Sequence, residues 1–497
     1  MSDYFISEER AENDLLDCAA YLAERIKSSD GHAEAMKVII PRYLSRGEVD
    51  LAAELSNAVD DPYSRDRLLI VVAEKCAETG DDEYALQLAD AVEDHGLRAE
   101  ALERVALAMA AKGRTDKAGA VAARMEHPDF VYAGVAVNQA AGGNPTAADE
   151  TLDLIEFPAA CVSAFQQIAA GQIEENKLED AVRTLERAVA SADEIEHEEE
   201  KIRLLCEIGV LFTEVKRNDK AVETFDKARG FAELLDNVHR DNFLARCAIG
   251  FLHAGSDELC DRTLDLVMDK TQMSSALVAV ARDHWRKEEK QDAADALDEA
   301  HEILKSQRDI ETRDSRVRNA LMATIAAQFA GFGKTERATE IALENEDPSE
   351  KTAALSQIAQ ILTMQNEDDL ARQTLNLIDE DADRVFALIA LADAKEKLGE
   401  KDAGITLLDE AASLSEIVPQ LASRSLALNE IAARFADNGD TDKAREVSVK
   451  NLAVIAEIRD ESSRAVSIAA VSAIYKNAEL EMSADGKNIL MQLMSKA

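Results

Sequence analysis

The eight histidines are the side chains best suited to acid–base catalysis or metal binding, and their spacing favours neither. No H-E-x-x-H segment occurs, and no two histidines lie four residues apart on one helix, where they could clamp a metal ion. We therefore predict histidines on the surface or in loops, and no metal site. They are His32, His95, His127, His197, His239, His253, His284 and His301.

One segment of the sequence partly matches the motif of a phosphate-binding loop. The segment Gly331-Phe332-Gly333-Lys334-Thr335 ends as such a loop does, but Gln328 stands where the motif needs its first glycine. No strand pattern precedes the segment. We interpret it as a turn between two helices.

The cysteines and acidic clusters indicate no site either. The six cysteines have no C-x-x-C spacing and fall at helical positions, which favours free, buried thiols over zinc ligands or disulfides. Asp81-Asp82-Glu83 and residues 379–383 lack the alternating ligands of a calcium loop and suit helix starts. We predict no catalytic residues and no cofactor. The cysteines are Cys18, Cys76, Cys161, Cys206, Cys247 and Cys260.

Charge and hydropathy limit the partners. The 497 residues carry a formal net charge of −42, which disfavours nucleic acid because the phosphate backbone is anionic. The acidic start of the chain does not resemble a secretory signal, and no window approaches the ~20 apolar residues of a membrane span. We expect a cytoplasmic protein. Its acidity is either a solvated surface, including an adaptation to salt, or a docking face for a basic partner.

The elements that would position any site are repeated helical hairpins. In Pro62–Asp94, Leu69, Val72 and Ala73 share one helical face, Gly80 breaks the pattern, and a second apolar stripe follows. Aligning the chain on such turns gives twelve positions with a modal step of 33 residues. The turn residues are Gly47, Gly80, Gly113, Gly143, Asn176, Lys216, Gly255, Glu288, Gly333, Asn366, Gly399 and Gly439.

Two columns of small residues accompany these turns. Seven residues before each turn, from the second unit onward, stand Ala73, Ala106, Ala136, Ala169, Gly209, Ala248, Ala281, Ala326, Ala359, Ala392 and Ala432. Five residues after each turn stand Ala52, Ala85, Ala118, Ala148, Ala181, Ala221, Cys260, Ala293, Ala338, Ala371, Gly404 and Ala444. Small side chains at fixed positions let two helices of a pair approach closely.

This arrangement resembles the tetratricopeptide repeat (TPR), which has two small positions twelve residues apart and a large apolar residue four before the first. The resemblance covers about residues 31–474. The chain departs from the family in its period, in its few unit-ending prolines and in its large column, which is mostly aliphatic. That column contains Leu69, Leu102, Tyr132, Phe165, Leu205, Leu244, Leu277, Met322, Leu355, Leu388 and Leu428.

The resemblance implies an all-α, right-handed αα-superhelix of about twelve helix-turn-helix units. We predict one helix over Glu8–Lys27 that caps the first pair, and a closing helix over Lys487–Met494. The expected segments are an N-terminal cap at 1–30, repeats at 31–193, longer repeats at 194–312, repeats at 313–478 and a C-terminal cap at 479–497.

In the family that the chain resembles, the first helices line a concave groove. Carried onto this sequence, most groove positions hold small or acidic residues, but two neighbouring units combine apolar, aromatic and cationic ones, as interface hot spots do. The predicted binding residues are Ile249, Leu252, His253, Val278, Arg282, Trp285 and Arg286. Alternatively, Trp285 fills a gap beside a lengthened unit and the arginines neutralise nearby acid.

These patterns predict a protein without enzymatic activity that holds a protein or peptide segment in a groove. The partner would be basic if the acidic surface takes part in docking. The alternative is a structural spacer or self-assembling element that acts through its end faces.

Overall fold

The computed structural model describes residues 4–306 and 313–495, and every regular element within these ranges is an α-helix. The chain begins with α1 Glu8–Ala11, α2 Leu15–Ala23, α3 Ser29–Arg46, α4 Val49–Asn57, α5 Pro62–Thr79, α6 Asp82–Ala91, α7 His95–Ala111, α8 Thr115–Ala122, α9 Asp129–Ala141 and α10 Pro145–Leu152. It continues with α11 Pro158–Glu174, α12 Leu178–Ala192, α13 Glu198–Glu214, α14 Asn218–Leu234, α15 Arg240–His253, α16 Asp257–Leu264, α17 Lys270–Arg286, α18 Lys290–Lys305, α19 Arg313–Gly331 and α20 Thr335–Glu344. The last helices are α21 Pro348–Met364, α22 Asp368–Leu375, α23 Asp381–Lys397, α24 Lys401–Ser415, α25 Leu421–Asp437, α26 Thr441–Ile455, α27 Glu461–Asn477 and α28 Ala484–Met494.

All twelve predicted turn residues adopt a positive φ, from 58° at Lys216 to 98° at Gly80. A left-handed residue ends the first helix of a pair and lets the next amides bond back to its last carbonyls. At Gly47, for example, the Gly47 amide donates to Leu44 and the Glu48 amide donates to Tyr43, both at 3.0 Å. The predicted helix-turn-helix repeat is confirmed.

Both columns of small residues are buried in every unit. Nearly all of these alanines have no exposed surface, and Cys260 in the second column is only 1% exposed. Each pair of helices therefore packs through its small residues, as the spacing predicts.

A further turn, which the sequence pattern does not predict, lies at Glu479 with φ 50° and joins α27 to α28. Val471 and Ile468, eight and eleven residues before it, are fully buried, as are Val72 and Ile208 eight residues before their own turns. The pattern was hidden because Ser472 takes the alanine position and Glu479 takes the glycine position.

The chain folds as two compact units, one formed by Met1–Val105 together with Leu355–Ala497 and the other by Ala106–Ala354. In the first unit, α2 packs against both α3 and α27, and also touches α28. Lys476 Nζ donates to the backbone oxygen of Ser45 at 2.8 Å. Residues 1–30 and 479–497 are predicted as separate caps, yet their helices contact each other. The predicted boundary at residue 312 lies outside the described residues.

The single helix predicted over Glu8–Lys27 is wrong, because α1 and α2 are separate helices and α2 ends at Ala23. The break lies at Asp14, whose carboxylate accepts the backbone N–H groups of Leu16 at 2.8 Å and Asp17 at 3.0 Å. Such an N-cap starts a new helix even though the apolar stripe continues across it.

Arginines hold three of the loops between successive pairs. Arg98, Arg424 and Arg464 stand eight residues before the first small position or its equivalent, and each of these three donates to a carbonyl of the preceding loop. Arg98 reaches Val92 at 2.8 Å, Arg424 reaches Val418 at 2.6 Å, and Arg464 reaches Ile458 at 2.8 Å. These charged hydrogen bonds help to fix where these three pairs begin.

Candidate functional site in the second unit

A cleft of about 570 Å³ opens along α11, α13 and α15, the first helices of three successive pairs. These helices pack side by side, α11 on α13 and α13 on α15. We call this space the α11–α13–α15 cleft. Its lining residues are Gln166, Gln167, Ala170, Cys206, Glu207, Val210, Leu211, Phe225, Arg246, Ile249, Gly250 and His253.

The ring of Phe225, from α14, forms the floor because two glycines make room for it. A Cβ atom at Gly250 would lie 2.4 Å from Phe225 Cε1, and one at Gly209 would lie 2.6 Å from the same atom. Phe225 is only 1% exposed and meets Phe251 edge to face, with ring centroids 6.0 Å apart. The floor is therefore aromatic and tightly held.

Aliphatic side chains form the walls of the cleft. Val210 on α13 is 43% exposed, and Leu211 and Ile249 are half-buried. A large apolar side chain that keeps this much surface in water gains free energy if a ligand covers it, about 25 cal/mol for each Å² removed from water.

The rim of the cleft is polar. Glu207 accepts a hydrogen bond from Arg203 at 2.9 Å and lies 3.5 Å from the side-chain nitrogen of Gln166. Arg246 is half-buried, and no hydrogen bond or ion pair joins it to the part of the chain that the structure describes. Partial burial and the nearby Arg286 guanidinium lower the pKa of His253. The rim thus offers amide groups, one paired carboxylate, one guanidinium and a histidine that is neutral at pH 7.

Two of the predicted binding residues, Ile249 and His253, lie in this cleft. Two others require correction, because Leu252 and Val278 are only 5% and 4% exposed and cannot present a binding surface. Leu252 follows Ala248 by four residues, so both occupy the helical stripe that faces the core. Val278 precedes Ala281 by three residues and is buried for the same reason.

The remaining three predicted residues are engaged within the chain. Trp285 stacks on Phe332 with ring centroids 4.1 Å apart and an interplanar angle of 11°. Arg286 pairs with Asp283 at 3.1 Å. The Nε atom of Arg282 lies 2.8 Å from the side-chain oxygen of Gln328 when the Gln328 amide is oriented so that its oxygen accepts this hydrogen bond. This geometry favours the alternative in which Trp285 fills a gap between neighbouring units.

The segment that ends like a phosphate-binding loop is a repeat turn, as expected. Gly333 has φ 73°, and α20 begins directly after Lys334. Phe332 is the residue that stacks on Trp285.

The expectation that each histidine lies on the surface or in a loop is wrong for His301, which is fully buried in α18. Arg337 approaches its Nδ1 atom at 3.2 Å, and Glu344 lies 3.4 Å from its Nε2 atom. Burial first, and the Arg337 charge second, lower the pKa of His301.

Among the described residues, one group of side chains brings three potential metal ligands together. Ligand atoms of His284, Glu289 and Asp292 lie within 4.8 Å of one another at the turn between α17 and α18. The His284 and Glu289 atoms already contact each other at 2.6 Å, and both acidic residues are exposed. Exposed carboxylates often gather without an ion, so the group alone does not make a metal site.

The cysteines are free, as predicted, and all except the half-buried Cys161 are buried.

Among the described helices, none combines the length and the apolar character that a membrane span requires.

No family model and no curated protein matches the sequence. Solved structures similar to this chain include Ton1535 from Thermococcus onnurineus NA1, at 14% identity and TM-score 0.25, covering 81% of this chain and 98% of that one. A signal-transduction ATPase with a tetratricopeptide repeat sensor from Pyrococcus horikoshii has 12% identity and TM-score 0.28, covering 69% of this chain and 52% of that one. The apo form of the quorum sensor NprR from B. thuringiensis has 11% identity and TM-score 0.24, covering 70% of this chain and 97% of that one.

The architecture itself is established by the chain's own helices. Successive helix pairs, joined by left-handed turn residues and packed through two columns of small residues, form a TPR-like helical-repeat protein.

Proposed function

We propose that the protein is a binding scaffold without catalytic activity that holds a peptide segment in the α11–α13–α15 cleft. The observation that carries this proposal is the exposed apolar surface of Val210, beside the half-buried Ile249 and above the Phe225 floor. An apolar surface of this kind, surrounded by a polar rim, is typical of ligand-binding grooves.

The size of the cleft favours a short extended segment over a folded partner. A cleft of about 570 Å³ lies within the range of pockets that hold a small ligand, about 300–1,000 Å³, whereas folded partners usually meet over a broad surface of about 800 Å² each. The Gln167 amide can bond to the backbone of a peptide that lies across α11, and so can the side-chain oxygen of Gln166, whose nitrogen donates to Leu204 at 3.3 Å. An apolar anchor would supply affinity, and the amides would fix its direction.

Charge supports a partner with basic residues outside the anchor. The net charge of −42 speeds the approach of cations and slows that of anions. We infer an apolar anchor in the cleft and cationic residues on either side of it. The free thiols fit the reducing cytoplasm, where we place the protein.

The alternative of a spacer that assembles through its ends has less support. Helices of both chain ends already pack on each other, α2 against α27 and α28. The faces that these helices turn to each other are therefore covered within the first unit, which leaves less surface there for stacking another copy.

Selection of peptides tests the proposal. A phage-displayed library of random dodecapeptides is panned on the full chain, and fluorescence anisotropy gives the Kd of the selected peptides for each variant. Val210→Asp should weaken binding at least tenfold, because the loss of about 1 kcal/mol of apolar burial is joined by the cost of desolvating a carboxylate, about 1–3 kcal/mol.

Leu234→Asp is the matched control. Leu234 is also an exposed aliphatic residue, at 76%, but it lies at the end of α14 and does not line the cleft. Leu234→Asp should change the Kd less than about twofold, because a substitution on the surface away from the cleft contributes little to binding. Equal effects of the two variants, or selected peptides that bind Val210→Asp normally, would remove the cleft as the binding site.

A further inference from the structure

Two buried thiols meet in the wall of the α11–α13–α15 cleft. Cys206 of α13 and Cys247 of α15 have their Sγ atoms 3.7 Å apart. Their exposed fractions are 3% and 0%. The residues are 41 positions apart in sequence, so the packing of two first helices brings them together.

We propose that Cys206 and Cys247 are a modification site at which hydrogen peroxide forms a disulfide between α13 and α15. Cys206 lines the cleft, and peroxide is close to water in size, so the oxidant can reach its sulfur from the open side. Cys247, behind it, is placed to resolve the oxidised intermediate.

The chemistry balances in two steps. The Cys206 thiolate attacks one oxygen of hydrogen peroxide, so an S–O bond forms, the O–O bond breaks and hydroxide leaves. The Cys247 sulfur then attacks the sulfenic sulfur, forming the S–S bond and breaking the S–O bond, while the Cys247 proton leaves with the displaced oxygen as water. Two sulfurs lose two electrons, and peroxide gains them.

The surroundings of Cys206 distinguish it from the other buried thiols. Burial raises the pKa of Cys18 and of Cys260 to about 12, and that of Cys76 to about 11, which keeps these thiols protonated. At Cys206 the hydrogen bond from Cys247 lowers the pKa against the effect of burial, and the Arg246 charge acts in the same direction. The same hydrogen bond raises the pKa of Cys247. Because the thiolate is the nucleophile, oxidation should begin at Cys206.

Formation of the bond changes the cleft. An S–S bond is about 2.05 Å long, so the sulfurs must approach by about 1.7 Å from their present 3.7 Å. Val210 follows Cys206 by one helical turn, and Ile249 follows Cys247 by two residues. A bond between Cys206 and Cys247 therefore cross-links the two helices that carry these apolar side chains. Disulfides in cytosolic proteins are mostly transient and redox-sensing, which fits a reversible bond at this place.

Mass spectrometry tests the site on the full chain without any peptide ligand. The reduced protein is treated with hydrogen peroxide, its remaining thiols are alkylated under denaturing conditions, and proteolytic fragments are compared with and without dithiothreitol. We expect one linked fragment pair that contains Cys206 and Cys247 and disappears on reduction. Cys18, Cys76 and Cys260 should remain free for alkylation.

Two variants separate the roles of the cysteines, with circular dichroism as the check on folding. Cys247→Ala should leave a sulfenic acid at Cys206 that dimedone traps, whereas Cys206→Ala should give no adduct at Cys247. The proposal is overturned if wild-type Cys206 stays reduced while other thiols oxidise, or if dimedone labels Cys206 in wild type as fully as in Cys247→Ala.

Discussion

Gly250 offers the sharpest test of the packing that builds the cleft floor. A Cβ atom there would lie 2.4, 2.5 and 2.6 Å from three atoms of the Phe225 ring, where ordinary contacts lie at 3.4–4 Å. The ring must therefore move by about 1 Å. Its room is limited, because the Gly209 backbone also lies close to the ring: a Cβ atom built on Gly209 would lie 2.6–2.9 Å from the same three ring atoms. Overpacking of this kind destabilises a core by about 1–3 kcal/mol.

A matched control removes the effect of helix propensity. Alanine is more favourable than glycine in a helix by about 1 kcal/mol, and this gain applies to Gly250→Ala and Gly230→Ala alike. Gly230 lies inside α14, and nothing stands within 4 Å of a Cβ atom built on it. The stabilities of the two variants should therefore differ by the overpacking alone, about 1–3 kcal/mol, with Gly230→Ala the more stable.

Hydrogen exchange followed by mass spectrometry measures the difference locally, which suits a large repeat protein better than global unfolding. The protection of α14 and α15 amides should be about 5- to 150-fold lower in Gly250→Ala than in Gly230→Ala. Replacing the ring by a smaller side chain, as in Phe225→Leu, should abolish most of this difference in protection. If Gly250→Ala and Gly230→Ala raise protection equally, the ring does not occupy the space between the glycines and the description of the floor is wrong.

Two further predictions concern residues outside the cleft. Trp285→Ala should change the Kd of selected peptides less than about twofold, because the Trp285 ring is stacked on Phe332. The same substitution should lower the hydrogen-exchange protection of α17 and α19. A tenfold loss of binding would instead support the binding residues predicted from the sequence. For His301 the folded pKa is depressed, so its contribution to stability is present above its ordinary pKa of about 6.5 and is lost as pH falls towards the folded pKa. The free energy of unfolding of the second unit should therefore decrease from about pH 7.5 to pH 5.5, by at most about 1.4 kcal/mol per pH unit. His301→Gln should flatten this slope. An unchanged slope in the variant would contradict the attribution of the pH dependence to His301.

The repeat could be predicted from the sequence because its requirements are local. A left-handed residue must end the first helix of each pair, and small residues must lie where its two helices touch, so glycine and alanine recur at fixed positions. Even Lys216 and Glu288, which are unfavourable in that conformation, were located by the register of their neighbours. Among the described residues, Glu479 is the one turn of this kind that the pattern does not predict, because serine and glutamate replace the usual alanine and glycine.

The candidate site could not be predicted in the same way, because it depends on contacts between pairs. Ile249 and Leu252 look equivalent in the sequence, but only the packing shows that Ile249 borders a cleft whereas Leu252 enters the core. Phe225 reaches the cleft from a second helix because two first helices each carry a glycine beside it.

Contacts between distant parts of the chain leave even less trace in the sequence. The Cys206–Cys247 pair joins residues 41 positions apart, and Lys476 meets Ser45 across 431 positions. Helical periodicity constrains neighbours within a turn or a hairpin and carries no information about which hairpin lies alongside. The order of the helices was thus determined by the sequence pattern, while the cleft, the thiol pair and the joining of the chain ends were decided by tertiary packing.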